Sequence, residues 1–285
     1  MITQPGMFED VDADDYFADP CPAPSLTQSL IPTLLKRSAY HCAHMHPRLN
    51  PYGSSSGSAR AQYLGSAVHR LALGRGREIS EIRYPDFVHS SAREARDLAV
   101  ANGRIPILTR ELVKARDMAE ILKRKISEAL GGAPYVTETV IAWVETTPAG
   151  PVWCRGMIDV WCPSLAIALD PKALRIAATA EAFGRTAAES GYDIQAAFYS
   201  RGLQAVFPEL PRVGFANLVV ESSPPHGAQS FAPDASARVI AEAQVQEAID
   251  LFGTCLHSRS WPSYPAGIQP YSTPGWYQQS IVNLT

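Results

Sequence analysis

Long hydrophobic runs, paired cysteines and an excess of base are what this sequence lacks. No apolar stretch approaches the roughly 20 residues needed to cross a bilayer. The first residues carry neither the basic start nor the apolar core of an export signal. The expectation is a cytoplasmic protein that does not engage a membrane. The five cysteines, Cys21, Cys42, Cys154, Cys162 and Cys255, are scattered and never fall in a C-x-x-C pair. That spacing argues against a disulfide framework and a four-thiolate zinc or iron–sulfur site, and leaves the thiols as small buried hydrophobes. Lys and Arg number 25 against 28 Asp and Glu, a formal net charge of -3, which excludes a wholly basic nucleic-acid coat.

What is present is apolar material and charge asymmetry. Of the 285 residues, 46% are hydrophobic and 19% charged, enough for a sizeable core. Residues 1–20 hold six acids (Glu9, Asp10, Asp12, Asp14, Asp15, Asp19) and no base, whereas residues 60–125 hold 14 Lys/Arg against 8 Asp/Glu. Residues 1–24 also contain Pro5, Pro20, Pro22 and Pro24, a composition that predicts a flexible or loosely docked tail. One domain is expected over 25–285, with no linker or internal repeat dividing it.

Residues 25–40 read as a helix bearing Leu26, Leu30, Leu34 and Leu35, interrupted by Pro32, and 53–58 as a flexible loop. A second helix runs from Ala59 to about Leu73. Thr109 is expected to cap a long helix with Leu112, Ala115, Met118, Leu122, Ile126 and Leu130 inward, stopped by Gly131-Gly132. From Tyr135 the period becomes two, and Pro148-Ala149-Gly150 turns one strand into another ending near Trp161. Val136, Glu138 and Val140 share a face in this reading. A short strand Leu165–Leu169, a helix Tyr192–Val206, strands Val213–Glu221 and Gln229–Ala232, and a last helix Ala235–Leu256 complete an α/β sandwich around one sheet.

The chemistry lies where acids interrupt apolar strands. Glu138, Asp159 and Asp170 do so in successive strands, and buried carboxylates are costly unless a cation compensates them. Asp170 and Lys172, two apart in an extended chain, face the same side. Hard oxygen donors favour Mg²⁺ or Mn²⁺.

Four ordered pieces, Gly65-Ser66-Ala67-Val68-His69, Gly156-Met157-Ile158-Asp159, Asp170-Pro171-Lys172 and Gln195-Ala196-Ala197-Phe198-Tyr199, resemble the PD-(D/E)XK nuclease superfamily. Within it they resemble the RecB-like group, which includes RecE-type exonucleases (exodeoxyribonuclease VIII). The resemblance runs from about Ser25 to Trp261-Pro262. It implies a restriction-endonuclease-like core, a central mixed sheet flanked by helices. It makes His69, Asp159, Asp170 and the Pro171 carbonyl metal ligands, and Lys172 the group that orients or activates the attacking water. Glu138 matches an acid that binds a water of the metal shell, and Gln195 and Tyr199 match a Q-x-x-x-Y motif supporting the site. The proline inside D-x-K departs from the pattern and removes a backbone donor.

The implied activity is hydrolysis of linear duplex DNA from its ends, 5′ to 3′, in phage-type recombination beside a single-strand-annealing recombinase, with a homo-oligomer as the implied assembly. The rival is a catalytically silent DNA-end or partner-binding protein of the same fold, and an endonuclease is a third reading. The basic cluster Lys123-Arg124-Lys125, with Arg110 and Lys114, is a candidate phosphate track. His41, Cys42, His44 and His46 could be read as a metal cluster but lack a second ligand pair and read as a turn with surface histidines. Gly74-Arg75-Gly76 lacks the context of a phosphate loop. Trp261, Tyr264, Tyr271, Trp276 and Tyr277 form an aromatic stretch expected to pack over the core.

Overall fold

The structure, a computed structural model, describes residues 1–50, 59–210 and 212–275. The chain opens with β1 (Gly6–Phe8) and the short helix α1 (Ala13–Ala18), then α2 (Ile31–Lys36), α3 (Ala39–Met45) and α4 (Ala59–Leu73). A β–α–β unit follows, β2 (Ile79–Ile82), α5 (Ser90–Ala101) and β3 (Ile105–Leu108), whose two strands pair in parallel as a small separate sheet. The long helix α6 (Thr109–Leu130) leads into the hairpin β4 (Val136–Thr147) and β5 (Gly150–Cys162), then β6 (Ile167–Leu174). Helices α7 (Ala180–Ser190) and α8 (Tyr192–Val206) cross over to β7 (Gly214–Glu221), and β8 (Ala228–Phe231) and α9 (Ala235–Ser258) end the described elements.

Six strands form the main sheet in the order β1-β4-β5-β6-β7-β8, antiparallel except for the parallel pair β6 and β7. The long α7–α8 connection is what a parallel neighbour requires. One face packs under α8, α9 and the α2–α3 pair, with Trp143, Trp161, Phe198 and Phe252 at its centre. The other packs under α4 and α6, where Leu112, Met118, Leu122 and Ile126 meet Val160, Leu169, Leu218 and Val220. Each such side chain contributes about 1.5–3 kcal/mol of burial.

The acidic N-terminal segment is docked rather than loose. β1 pairs with β4 through Gly6↔Ala142 and Phe8↔Val140, and Ile2, Tyr16 and Cys21 cover Val140 and Ala142. Composition misleads here because one acid is an anchor. Asp19 is 5% exposed, accepts from the Ser25 N–H (2.9 Å) and hydroxyl (2.7 Å), and pairs with Arg155 (2.9 Å) and His46 (3.3 Å). Burial alone would raise its pKa, but the His46, Arg155 and Ser25 partners outweigh it and hold the pKa below the ordinary value.

Three further expectations change. Pro32 lies in the first turn of α2, where a missing N–H costs nothing, so the expected broken helix over 25–40 is instead a 3-10 turn (Gln28–Leu30) and α2, followed by the start of α3. Thr109 is the first residue of α6, not its cap, and its hydroxyl donates to Glu81 (2.8 Å). The strand expected at Leu165–Leu169 runs over Ile167–Leu174. Residues 53–58 lie outside the described residues.

A carboxylate row across the sheet as the candidate active site

Strand register brings the strand acids together. The pairs Thr137↔Val160 and Thr139↔Ile158 bracket Glu138 and Asp159, which therefore stand opposite one another on β4 and β5. The β5–β6 ladder ends at Val160↔Leu169, and one step further puts Asp159 level with Asp170. Asp170 in turn pairs with Asn217 on β7. Glu138, Asp159, Asp170 and Asn217 thus form one row across four neighbouring strands.

Above the row, α4 delivers His69. Its Nδ1 lies 3.1 Å from Glu138 Oε1 and its Nε2 3.2 Å from Asp159 Oδ2. Burial would lower the imidazole pKa, but the Asp159 and Glu138 charges more than reverse this and raise it to about 10. Lys172 Nζ is 2.5 Å from Asp170 Oδ2 and sits 4.8 Å from the centre of the Tyr192 ring. Desolvation works against the ammonium, yet Asp170 and Asp159 raise its pKa. Gln195 donates to Asp170 Oδ1 (2.8 Å) and Asn217 to Asp170 Oδ2 (3.2 Å). Despite these donors, burial and the neighbouring Asp159 charge lift the Asp170 pKa to about 6. Asp159 goes the other way, since His69 and Lys172 outweigh its burial.

Two backbone details shape the pocket. Glu138 has φ +50°, a left-handed conformation that costs a non-glycine residue about 1–2 kcal/mol. The three do not share one face, as period two expected: Val136 packs with the core under α8 and α9, Val140 meets Ile2 and Tyr16, and Glu138 meets His69 on α4. Gly76, at φ +95°, passes so close that a Cβ would lie 3.1 Å from Glu138 Oε1. The second detail links two of the motifs. A Cβ on Gly156 would come within 2.6 Å of the Tyr199 ring, so the glycine of the Asp159 strand is the seat of the tyrosine on α8. Burial raises the Tyr199 pKa well above its ordinary value, and Tyr16 of the N-terminal segment is among its neighbours.

Pro171 lies past the last β5–β6 pair, while its register with Leu218 on β7 is kept. A residue without an N–H is tolerated where a strand has lost one of its neighbours.

Among the described residues no group of three or more His, Cys, Asp or Glu side chains is closed into a ready metal cage. The donor set nonetheless fits a divalent cation. Among the described residues the cations paired with the three carboxylates are His69 and Lys172, so the metal-free row stays net negative even with His69 protonated. A divalent ion with neutral His69 and charged Lys172 would balance it. His69, Asp159, Asp170 and the Pro171 carbonyl are the groups that would hold such an ion, after the imidazole gives up one carboxylate contact.

Asn217, Gly76, Tyr16 and Tyr192 are the site neighbours that sequence reasoning missed. Asn217 alone carried a signal, a polar residue in the middle of the apolar strand Gly214–Glu221. The basic cluster does not join the row. Lys123 pairs with Glu120 and Lys125 with Glu128, and Arg124 and Lys125 border Pro225 and His226 next to β8. Cys42, His44 and His46 point apart, to the core, to Asn50 and to Asp19 respectively. Trp261 packs on Phe252 and Tyr264 on His41, whereas Tyr271 is exposed; Trp276 and Tyr277 lie outside the described residues.

Among solved structures the chain is similar to a protein from Eubacterium rectale provisionally named an exonuclease. The TM-score is 0.57 at 11% identity, over 97% of this chain and 98% of that one, a likeness of fold. A phage-related exonuclease from Haemophilus somnus aligns at TM-score 0.32 and 13% identity, over 72% of this chain and all of that one. No curated protein matches. The family model described as a PDDEXK-like domain of unknown function (DUF3799) matches residues 29–271, a stretch that contains every residue of the row and its lysine. The chain belongs to that PDDEXK-like family.

Proposed function

We propose that the protein is a metal-dependent deoxyribonuclease that hydrolyses linear duplex DNA from its ends, using Mg²⁺ or Mn²⁺. The observation that carries the reading is the row of Glu138, Asp159 and Asp170 with Lys172 bonded to its third member. When bound, a divalent metal supplies polarisation of a phosphoryl oxygen and a lowered pKa for coordinated water.

The chain's own residues do the rest. Lys172 holds a full positive charge beside Asp170, where it orients an attacking water and offsets negative charge developing on the phosphate. Gln195 and Asn217, one on each carboxylate oxygen, fix the rotamer of Asp170. The Tyr192 ring shields the ammonium from bulk water on one side. His69 keeps Glu138 and Asp159 apart in charge until a cation takes over that task. No side chain is required as a covalent nucleophile.

Polarity from 5′ to 3′, a RecE-like role in phage-type recombination, a strand-annealing recombinase as partner, self-assembly and a cytoplasmic location follow from the sequence resemblance and belong to the same proposal. The second reading, a silent DNA-end binder, draws on Pro171. The release of β6 from β5 at that residue, with the Lys172–Asp170 contact intact, favours the active form.

The test is release of nucleotides from a linear duplex with Mg²⁺ or Mn²⁺, its loss in EDTA, and a closed circular plasmid left intact. Binding of duplex ends without any release under either metal would support the silent reading, and nicking of the circle would make the enzyme an endonuclease.

A further inference from the structure

The loop that follows α4 carries two arginines that reach the acidic N-terminal segment. Arg75 donates to the Glu9 carbonyl (3.0 Å), and Arg77 pairs with the Asp14 carboxylate (2.8 Å). Between them stands Gly76, within a Cβ's reach of Glu138. The segment that holds them also comes near the site through Tyr16, a neighbour of Tyr199. Both arginines therefore stand at the rim of the carboxylate row, and Glu9, Asp10, Asp12, Asp14 and Asp15 are exposed beside them.

These contacts are not what anchors the segment. Tyr16, Asp19 and β1 do that from buried positions, whereas the Arg77 and Asp14 side chains are 53% and 83% exposed. An exposed pair exchanges one anion for another readily. We propose that Arg75 and Arg77 are phosphate-binding residues of this same site, and that the acidic segment 9–15 is a built-in competitor that the nucleic acid displaces from them. The proposal rests on the nuclease reading. Being tethered, the carboxylates act at high effective concentration. A polymer with many phosphates outcompetes them, while a released nucleotide, with one, does not. The device thus favours uptake of polymer and departure of product.

The test is a cycle of four chains: the unaltered protein, D10N/D14N/D15N, R75Q/R77Q, and the combination. Asp12 is spared because its carboxylate caps α1. Affinity for a short fluorescent linear duplex is measured in EDTA across a salt series, with KM for nucleotide release in Mg²⁺ as a second readout and circular dichroism as a check on folding. Loss of both arginines should weaken binding, flatten the slope of log affinity on log salt by up to roughly 2 units, and raise KM with little change in kcat. Neutralising the acids should tighten binding several-fold where the arginines are present and much less where they are not. Equal gains in both backgrounds, or an unchanged salt slope in R75Q/R77Q, overturn the proposal while leaving nuclease activity standing. A chain that neither binds nor releases nucleotides overturns the nuclease reading and the proposal together.

Discussion

Two acidic centres lie within this molecule, and they differ in how fully their charge is answered. Around Asp19 one carboxylate faces Arg155, His46 and two donors from Ser25, every one of them within 3.3 Å. Along the row, the cations that face Glu138, Asp159 and Asp170 among the described residues are His69 and Lys172, and Asp170 is left with a raised pKa in spite of an ammonium, an amide from Gln195 and an amide from Asn217. A saturated acid is a fastener. An under-compensated cluster has charge left over for a cation, and that contrast tells the two centres apart where burial does not, since Asp19 and Asp170 are almost equally buried.

The contrast breaks most visibly in substitutions of equal shape. Asp159→Asn and Asp170→Asn should each cut hydrolysis at least about 1,000-fold, the scale of removing a principal electrostatic element, with little change in urea unfolding. Retained turnover in both would dissolve the distinction. Asp19→Ala should do the reverse, destabilising the fold by about 3–5 kcal/mol because Arg155 is left buried without its partner. The check is urea denaturation, with turnover per folded molecule near normal at low temperature.

Next in size is the steric link between motifs. Gly156→Ala should cost roughly 1–3 kcal/mol through overpacking against Tyr199. Trimming Tyr199 to Ala in the same chain should recover part of that loss, and a double-mutant cycle measures the coupling.

The smallest effect is a pH dependence. With its pKa raised to about 10, His69 is an imidazolium in the metal-free protein at pH 8 and must lose that proton to act as a ligand. Metal binding should therefore release about one proton, and affinity should rise by about tenfold per pH unit between the ordinary histidine pKa and 10. Calorimetry in buffers of different ionisation enthalpy reads both, and His69→Gln should abolish the slope. For stability the sign is opposite. A pKa raised on folding stabilises fully below the ordinary value of 6.5, and that contribution is lost as pH rises through 10 in the metal-free protein.

Much of the row was legible in the sequence because the residues that build it are local exceptions. Asp159, Asp170 and Lys172 stand out against apolar strands, and Gln195 and Tyr199 share one face of a helix. Their convergence was a resemblance, not a deduction, because register across strands far apart in sequence leaves no mark on either strand. Glu138 was found for its type, but the face it was expected to share with Val136 and Val140 does not exist, since a left-handed residue breaks period two without any glycine to announce it. The β2–α5–β3 unit and α7 escaped notice: four-residue strands are too short for a period, and the alanine-rich α7 buries only Phe183. The N-terminal segment was misjudged by composition, which averages five exposed acids with the single buried one that decides its position.

The pairing of β1 with β4 bears on how the protein is handled. β4 would otherwise be the rim of the main sheet, with the apolar run Val140, Ile141, Ala142 and Trp143 offering unpaired amide groups to any passing strand. Three residues of β1 close that rim. A preparation trimmed at residue 20 would uncover it and strip the neighbouring hydrophobic cover at once, the combination that promotes edge-to-edge aggregation. Purification tags and fluorescent fusions accordingly belong at the far end of the chain, after α9.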